Sequence, residues 1–191
     1  MLFKLSSACG AGALLSLLQA LRHFLCALPL LLLFYYPGAV AGENFSPKDN
    51  QANRIVSGII SFTHWPGLTQ APQLCILSSA QHLSFPSGHQ AVAAPFSVVW
   101  LHDASDVAST RCDALYFGDQ SPQQQTALLS RLQGKALLAI AENNPECTIG
   151  AAFCLIFTGD HTAFSVNLDS LARSGVRVSP DVLLLSRKGS K

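Results

Sequence analysis

The placement of six cysteines constrains this chain more than any other feature. Cys9 and Cys26 lie in an N-terminal stretch with the pattern of a removable leader. Cys75, Cys112, Cys147 and Cys154 lie in the part long enough to fold. An even set of four in an exported domain reads as two disulfides. A chain whose thiols pair works outside the cytoplasm, which argues against chemistry that depends on cytosolic nucleotides.

The leader is legible in residues 1–41. Lys4, Arg22 and His23 carry its only charges, residues 24–36 form an apolar run interrupted only by Pro29, and Pro37-Gly38 precedes Ala39-Val40-Ala41. Basic region, apolar core and small-x-small site, in that order, make a secretory signal peptide. The run falls short of the about 20 residues that a transmembrane helix needs. The long front end (residues 1–21) leaves an internal start or an uncleaved anchor as alternatives. Cleavage after Ala41 leaves residues 42–191 as one domain of ordinary size, with ten basic and eleven acidic residues, a balance of −1. Such a near-neutral surface offers no electrostatic footprint for nucleic acid.

Local patterns place the elements. Ser46-Pro47-x-Asp49 reads as a helix start, and Ala52, Ile55, Val56, Ile59 and Phe62 follow at three- and four-residue spacing. Trp65-Pro66-Gly67 ends that helix. Residues 74–77, 96–101, 114–117 and 136–140 are short apolar runs, most of them continuous, as expected of strands buried on both faces. Ser121-Pro122-Gln123-Gln124 is a capping box opening a helix that carries Leu128, Leu129 and Leu132 and closes at Gly134. Residues 78–95, split by Pro86 and Gly88, predict a short or broken helix. Residues 153–158 and 162–167 flank Gly159-Asp160-His161 as a hairpin. Asn167 caps a helix over 168–174 that Gly175 ends, and Ser179-Pro180 opens another. The expected fold is a single α/β domain with a mostly parallel central sheet, an antiparallel edge hairpin and flanking helices, stapled by two disulfides.

Four cysteines allow three pairings, and sequence alone does not choose among them. Cys147 with Cys154 is favoured because the six residues between them contain Gly150. Cys75 with Cys112 is favoured because the two bracket early strands. Either bond could be a plain staple or a redox reporter. There is no Cys-x-x-Cys motif, and no histidine stands at ligand spacing from a cysteine pair, so neither a thioredoxin-type catalyst nor a metal site is expected. No cofactor is implied. Pro86-Ser87-Gly88-His89 resembles the central motif of acid phosphatases with a histidine nucleophile, but the flanking motifs of that family are missing: Ser130-Arg131 is followed by Leu, Gln and Gly. His64, His82, His102 and His161 are scattered, and no paired carboxylates or nucleophile elbow occur.

Longer strings carry a resemblance. Ser57-Gly58-Ile59-Ile60-Ser61-Phe62-Thr63-His64-Trp65-Pro66 and Cys112-Asp113-Ala114-Leu115-Tyr116-Phe117-Gly118 are similar to signatures of the YfiR family of periplasmic repressors, as are residues 134–157 and 164–187. The similarity runs from about residue 54 to 188 with all four cysteines in register; residues 79–95 diverge, and His64 stands where Arg is expected in close relatives. The resemblance implies a non-enzymatic regulator. It would bind the periplasmic region of a YfiN-type membrane diguanylate cyclase and hold it inactive, lowering cyclic di-GMP and favouring motility over biofilm. A YfiB-type outer-membrane lipoprotein would sequester it. The resemblance also implies the disulfide pairing favoured above, a sensitivity to redox state, and a cyclase-binding apolar surface at Phe153, Leu168 and Leu171; ordinary core is the competing explanation for these three. A homodimer is left open by the sequence. A periplasmic small-ligand binding protein is the alternative from another class, with a pocket expected near the strand C-termini. An enzyme using His89 stands third.

Overall fold

A helix that must bury one stripe starts the domain. The computed structural model describes residues 47–85 and 95–187; the expected signal peptide with Cys9 and Cys26, Ser46, and the string Pro86-Ser87-Gly88-His89 lie outside them. Helix α1 (Pro47–Ser61) buries Ala52, Ile55, Val56, Ile59 and Ile60. It stops before Trp65 because two hydroxyls fold back onto its last turn. Ser61 Oγ donates to the Gly58 carbonyl (2.8 Å) and Thr63 Oγ1 to the Ile59 carbonyl (2.7 Å). Thr63–His64 then forms a short strand, β1, antiparallel to a later one, Arg177–Val178.

The central sheet holds β2 (Gln73–Leu77), β3 (Ser97–Leu101), β4 (Ala114–Phe117), β5 (Leu138–Ala141), β6 (Phe153–Thr158) and β7 (His161–Val166), in the order β3-β2-β4-β5-β6-β7. All neighbours are parallel except β6 and β7, which form the expected hairpin. Between β4 and β5 runs α2 (Pro122–Arg131), with both halves of its capping box made by Ser121 and Gln124. After β7, the Asn167 side chain accepts from the Ser170 N–H and caps α3 (Leu168–Arg173). Strand β8 (Arg177–Val178) pairs with β1, and a 3-10 turn (Pro180–Leu183) leads into α4 (Leu184–Arg187). The α/β fold with a mostly parallel sheet and an antiparallel edge is therefore the one expected.

Strand alternation sorts the core into two faces. Leu74, Ile76, Ala114, Tyr116, Leu138, Ile140, Phe153 and Leu155 join α1 on one face. Cys75, Leu77, Leu115, Phe117, Ala139, Ala141 and Cys154 point to the other, under Leu128, Leu129 and Leu132 from α2 and its C-terminal end. Both disulfides belong to this second face.

Two expectations need correction. Strand β5 is Leu138–Ala141 rather than 136–140. Residues 78–85 form turns and bends, not a helix. Their backbone donors go to distant side chains: the Glu142 carboxylate accepts from Gln81 N (2.7 Å) and His82 N (3.2 Å), and Asn53 Oδ1 accepts from Ser84 N (3.1 Å). Amides committed in this way cannot build an i to i−4 ladder.

Candidate functional site

The loop between β5 and β6 is built around one buried amide. Gln125 falls on the face of α2 that Leu128, Leu129 and Leu132 define, yet it is 0% exposed. Its Nε2 donates to the carbonyls of Gln120 (2.8 Å) and Asn143 (3.4 Å), and its Oε1 accepts from Asn144 Nδ2 (3.0 Å) and Ala151 N (3.2 Å). All four positions of the amide are used. Asn144, also buried, donates to the Ile149 carbonyl (2.7 Å) and accepts from Cys147 N (3.1 Å). Gly150 must be glycine twice over: its φ is +83°, and a Cβ there would stand 2.6 Å from Gln125 Oε1.

The disulfide Cys147–Cys154 closes this loop, with Cα atoms 5.8 Å apart. Cys147 itself has left-handed backbone angles (φ +49°), uncommon for a residue with a side chain. The result is a fixed loop that leaves Ile149 43% exposed. Ile149 and Gly150 wall a cleft of about 470 Å³, which α2 (Leu129), the turn after it (Leu132, Lys135) and α3 (Arg173) complete. Leu168, at the start of α3, is 74% exposed.

The three residues expected to meet a partner separate here. Leu168 is on the surface. Leu171 is partly buried and packs against the α1-side core. Phe153 is 0% exposed, with its ring 5.9 Å from that of Phe164, so its place in a docking surface is corrected to core. The reason is the two-residue period of β6: Cys154 points toward α2, which turns its neighbour Phe153 to the opposite face. Sequence reasoning missed Gln125, Asn144 and Ile149. A signal existed for the first, since a glutamine at position i of an i, i+3, i+4, i+7 apolar stripe must be bonded if buried.

The other disulfide, Cys75–Cys112, ties β2 to the segment entering β4. Next to it, Asp113 joins two of the sequence signatures. Its carbonyl accepts from Trp65 Nε1 (2.7 Å) and Leu138 N (3.0 Å), and its carboxylate accepts from Gln73 N (2.9 Å) and pairs with Arg111 (2.5 Å). This pairing and that of Cys147 with Cys154 are the ones the sequence favoured.

A ligand crevice would be expected where chain order reverses, between the C-terminal ends of β2 and β4. Directly between those two ends the backbone is tightly packed, and a cleft of about 350 Å³ lined by Ser105, Phe117, Gln120 and Leu128 opens beside them on the α2 side. Gly118 lies so close to the turn after β2 that a Cβ would sit 2.4 Å from the Ser79 carbonyl carbon and the Ala80 nitrogen. Beside it, Tyr116 donates to Glu142 (2.9 Å); burial, with that carboxylate adding to it, pushes the phenol well above its ordinary value. His82 Nδ1 lies 3.1 Å from Asp49, and its ring rests 4.0 Å from that of Phe157. These groups are spent on holding the turn over the sheet. His64 is exposed on β1, opposite Arg177. Among the described residues no cluster of His, Cys, Asp or Glu could hold a metal ion, and no helix is long and apolar enough to cross a membrane. A family model described as YfiR/HmsC-like matches residues 50–187.

Proposed function

Because this chain belongs to the YfiR/HmsC-like family, a family of periplasmic regulators of cyclic di-GMP signalling, we propose that it is the repressor of a membrane diguanylate cyclase. Residues 1–41 act as a cleaved signal peptide and residues 42–191 as the mature domain. The domain binds the periplasmic region of a YfiN-type cyclase by protein–protein contact and keeps it inactive; a YfiB-type lipoprotein competes for it. The observation that supports this reading best is the disulfide-closed loop, which carries exposed Ile149 beside an open cleft, with exposed Leu168 at the head of the helix that forms the far wall. Exposed apolar groups on rigid supports suit a docking surface.

Deletion of the gene is expected to raise cyclic di-GMP only in cells that retain the cyclase. Crosslinking in the envelope followed by co-purification is expected to recover the cyclase with the protein. Unchanged cyclic di-GMP in the deletion strain would count decisively against the proposal.

A further inference from the structure

The cleft between α2, β5 and α3 combines an apolar floor with a one-sided charge. Leu129 and Leu132 form part of the floor and Ile149 an exposed lip. The only charged side chains lining it are Lys135 and Arg173, both cationic and both exposed; no carboxylate lines it among the described residues. The mature domain carries a balance of −1, so this positive rim is a local feature rather than part of a general field. Arg173 is already oriented: Nη1 pairs with Asp169, and Nη2 stands 3.5 Å from Ser170 Oγ. With the two side chains of that pair 64% and 78% exposed, the bond is weak, and an incoming carboxylate meets little competition.

The arrangement suits a peptide segment better than a small molecule. Small-molecule sites carry convergent, buried polar groups. Here Thr126, Ser130, Lys135 and Arg173 all lie exposed on the rim around an apolar centre, as at protein interfaces. One wall is set in advance, because Gly150 lies against Gln125 with no room for a side chain.

We infer that the cleft seats one segment of the cyclase's periplasmic region, and that this segment presents a large apolar side chain with a carboxylate close by in sequence. The inference rests on the repressor reading above. The apolar side chain enters between Leu129 and Ile149, and the carboxylate meets Lys135 and Arg173.

Two measurements test it. The first is the affinity of the oxidised mature domain for the cyclase's periplasmic domain at two salt concentrations. The double variant Lys135→Glu/Arg173→Glu is expected to bind about tenfold more weakly at about 50 mM salt, with the deficit shrinking at about 300 mM. Arg54→Glu/Arg177→Glu, an equal charge change outside the cleft, is expected to bind as the parent does. Equal affinity of the cleft variant and the parent overturns the inference and leaves the repressor reading standing. The second measurement needs no cyclase: amide NMR shifts of the domain with the synthetic peptide acetyl-Gly-Leu-Asp-Leu-Gly-amide and with its Asp-to-Lys counterpart. Shifts at Lys135, Ile149 and Arg173 with the acidic peptide alone are expected. Equal shifts with both peptides, or none with either, overturn the inference. Peptide-selective shifts without any binding to the cyclase domain keep the cleft's preference and remove the repressor reading.

Discussion

Phe153 and Leu168, two residues expected on one surface, lie in opposite environments. Phe153 sits in the α1-side core, so Phe153→Ala is expected to cost about 3–5 kcal/mol and to lower the amount of folded protein. Leu168 is exposed, so Leu168→Ala is expected to change stability by about 0.5 kcal/mol or less while weakening repression. Urea unfolding together with cellular cyclic di-GMP separates the two; a Phe153→Ala protein as stable as the parent would contradict its placement. Tyr116 gives a pH prediction. Residues 42–191 contain no other tyrosine, so its ultraviolet titration can be followed alone. Its folded-state value is raised by burial and by Glu142, so the unfolded chain releases the proton first. Stability is therefore complete below about pH 10, the ordinary tyrosine value, and falls as pH rises beyond it. Tyr116→Phe is expected to remove this alkaline loss, as read from urea midpoints on either side of that pH.

At the scale of elements, the loop between β5 and β6 is held twice, by its disulfide and by Gln125 with Asn144. Gln125→Leu preserves volume but strands Ala151 N and the carbonyls of Gln120 and Asn143. A loss of about 2–4 kcal/mol is expected even with the disulfide intact, measured by urea unfolding of oxidised protein. An unchanged midpoint would show that the bond alone carries the loop. Elements with local signals were legible from sequence. The capping box at Ser121, the Asn167 cap, the hairpin turn and strand β4 all depend on neighbours within a few positions. Residues 78–85 and the pairing of β1 with β8 were not legible, because their partners lie far along the chain: Glu142 for the first, and Arg177 and Val178 for the second.

For the whole molecule, the two faces of the sheet differ in how they are held. The fifteen-residue α1 covers one face, while the ten-residue α2 covers the other, where both disulfides lie. In the chain-entropy picture the short and long bridges contribute about 2.5 and about 4 kcal/mol. Complete reduction is therefore expected to speed amide exchange in α2 and in residues 143–151 before α1 responds. Exchange that rises first in α1 would show the staples to be on the wrong side of this account. By itself, the sequence determined the α/β class, the secretory leader as an expectation, the favoured cysteine pairing and most helix and strand positions, since apolar periodicity, caps and turns act over short separations. Only the tertiary structure decided that Phe153 is core, that Gln125 organises a loop, that the turn at Ser79 packs against Gly118, and that Ile149, Lys135 and Arg173 share one cleft. Each of these depends on which strand face a side chain takes and on what the sheet order brings beside it, and neither is set by near neighbours in the chain.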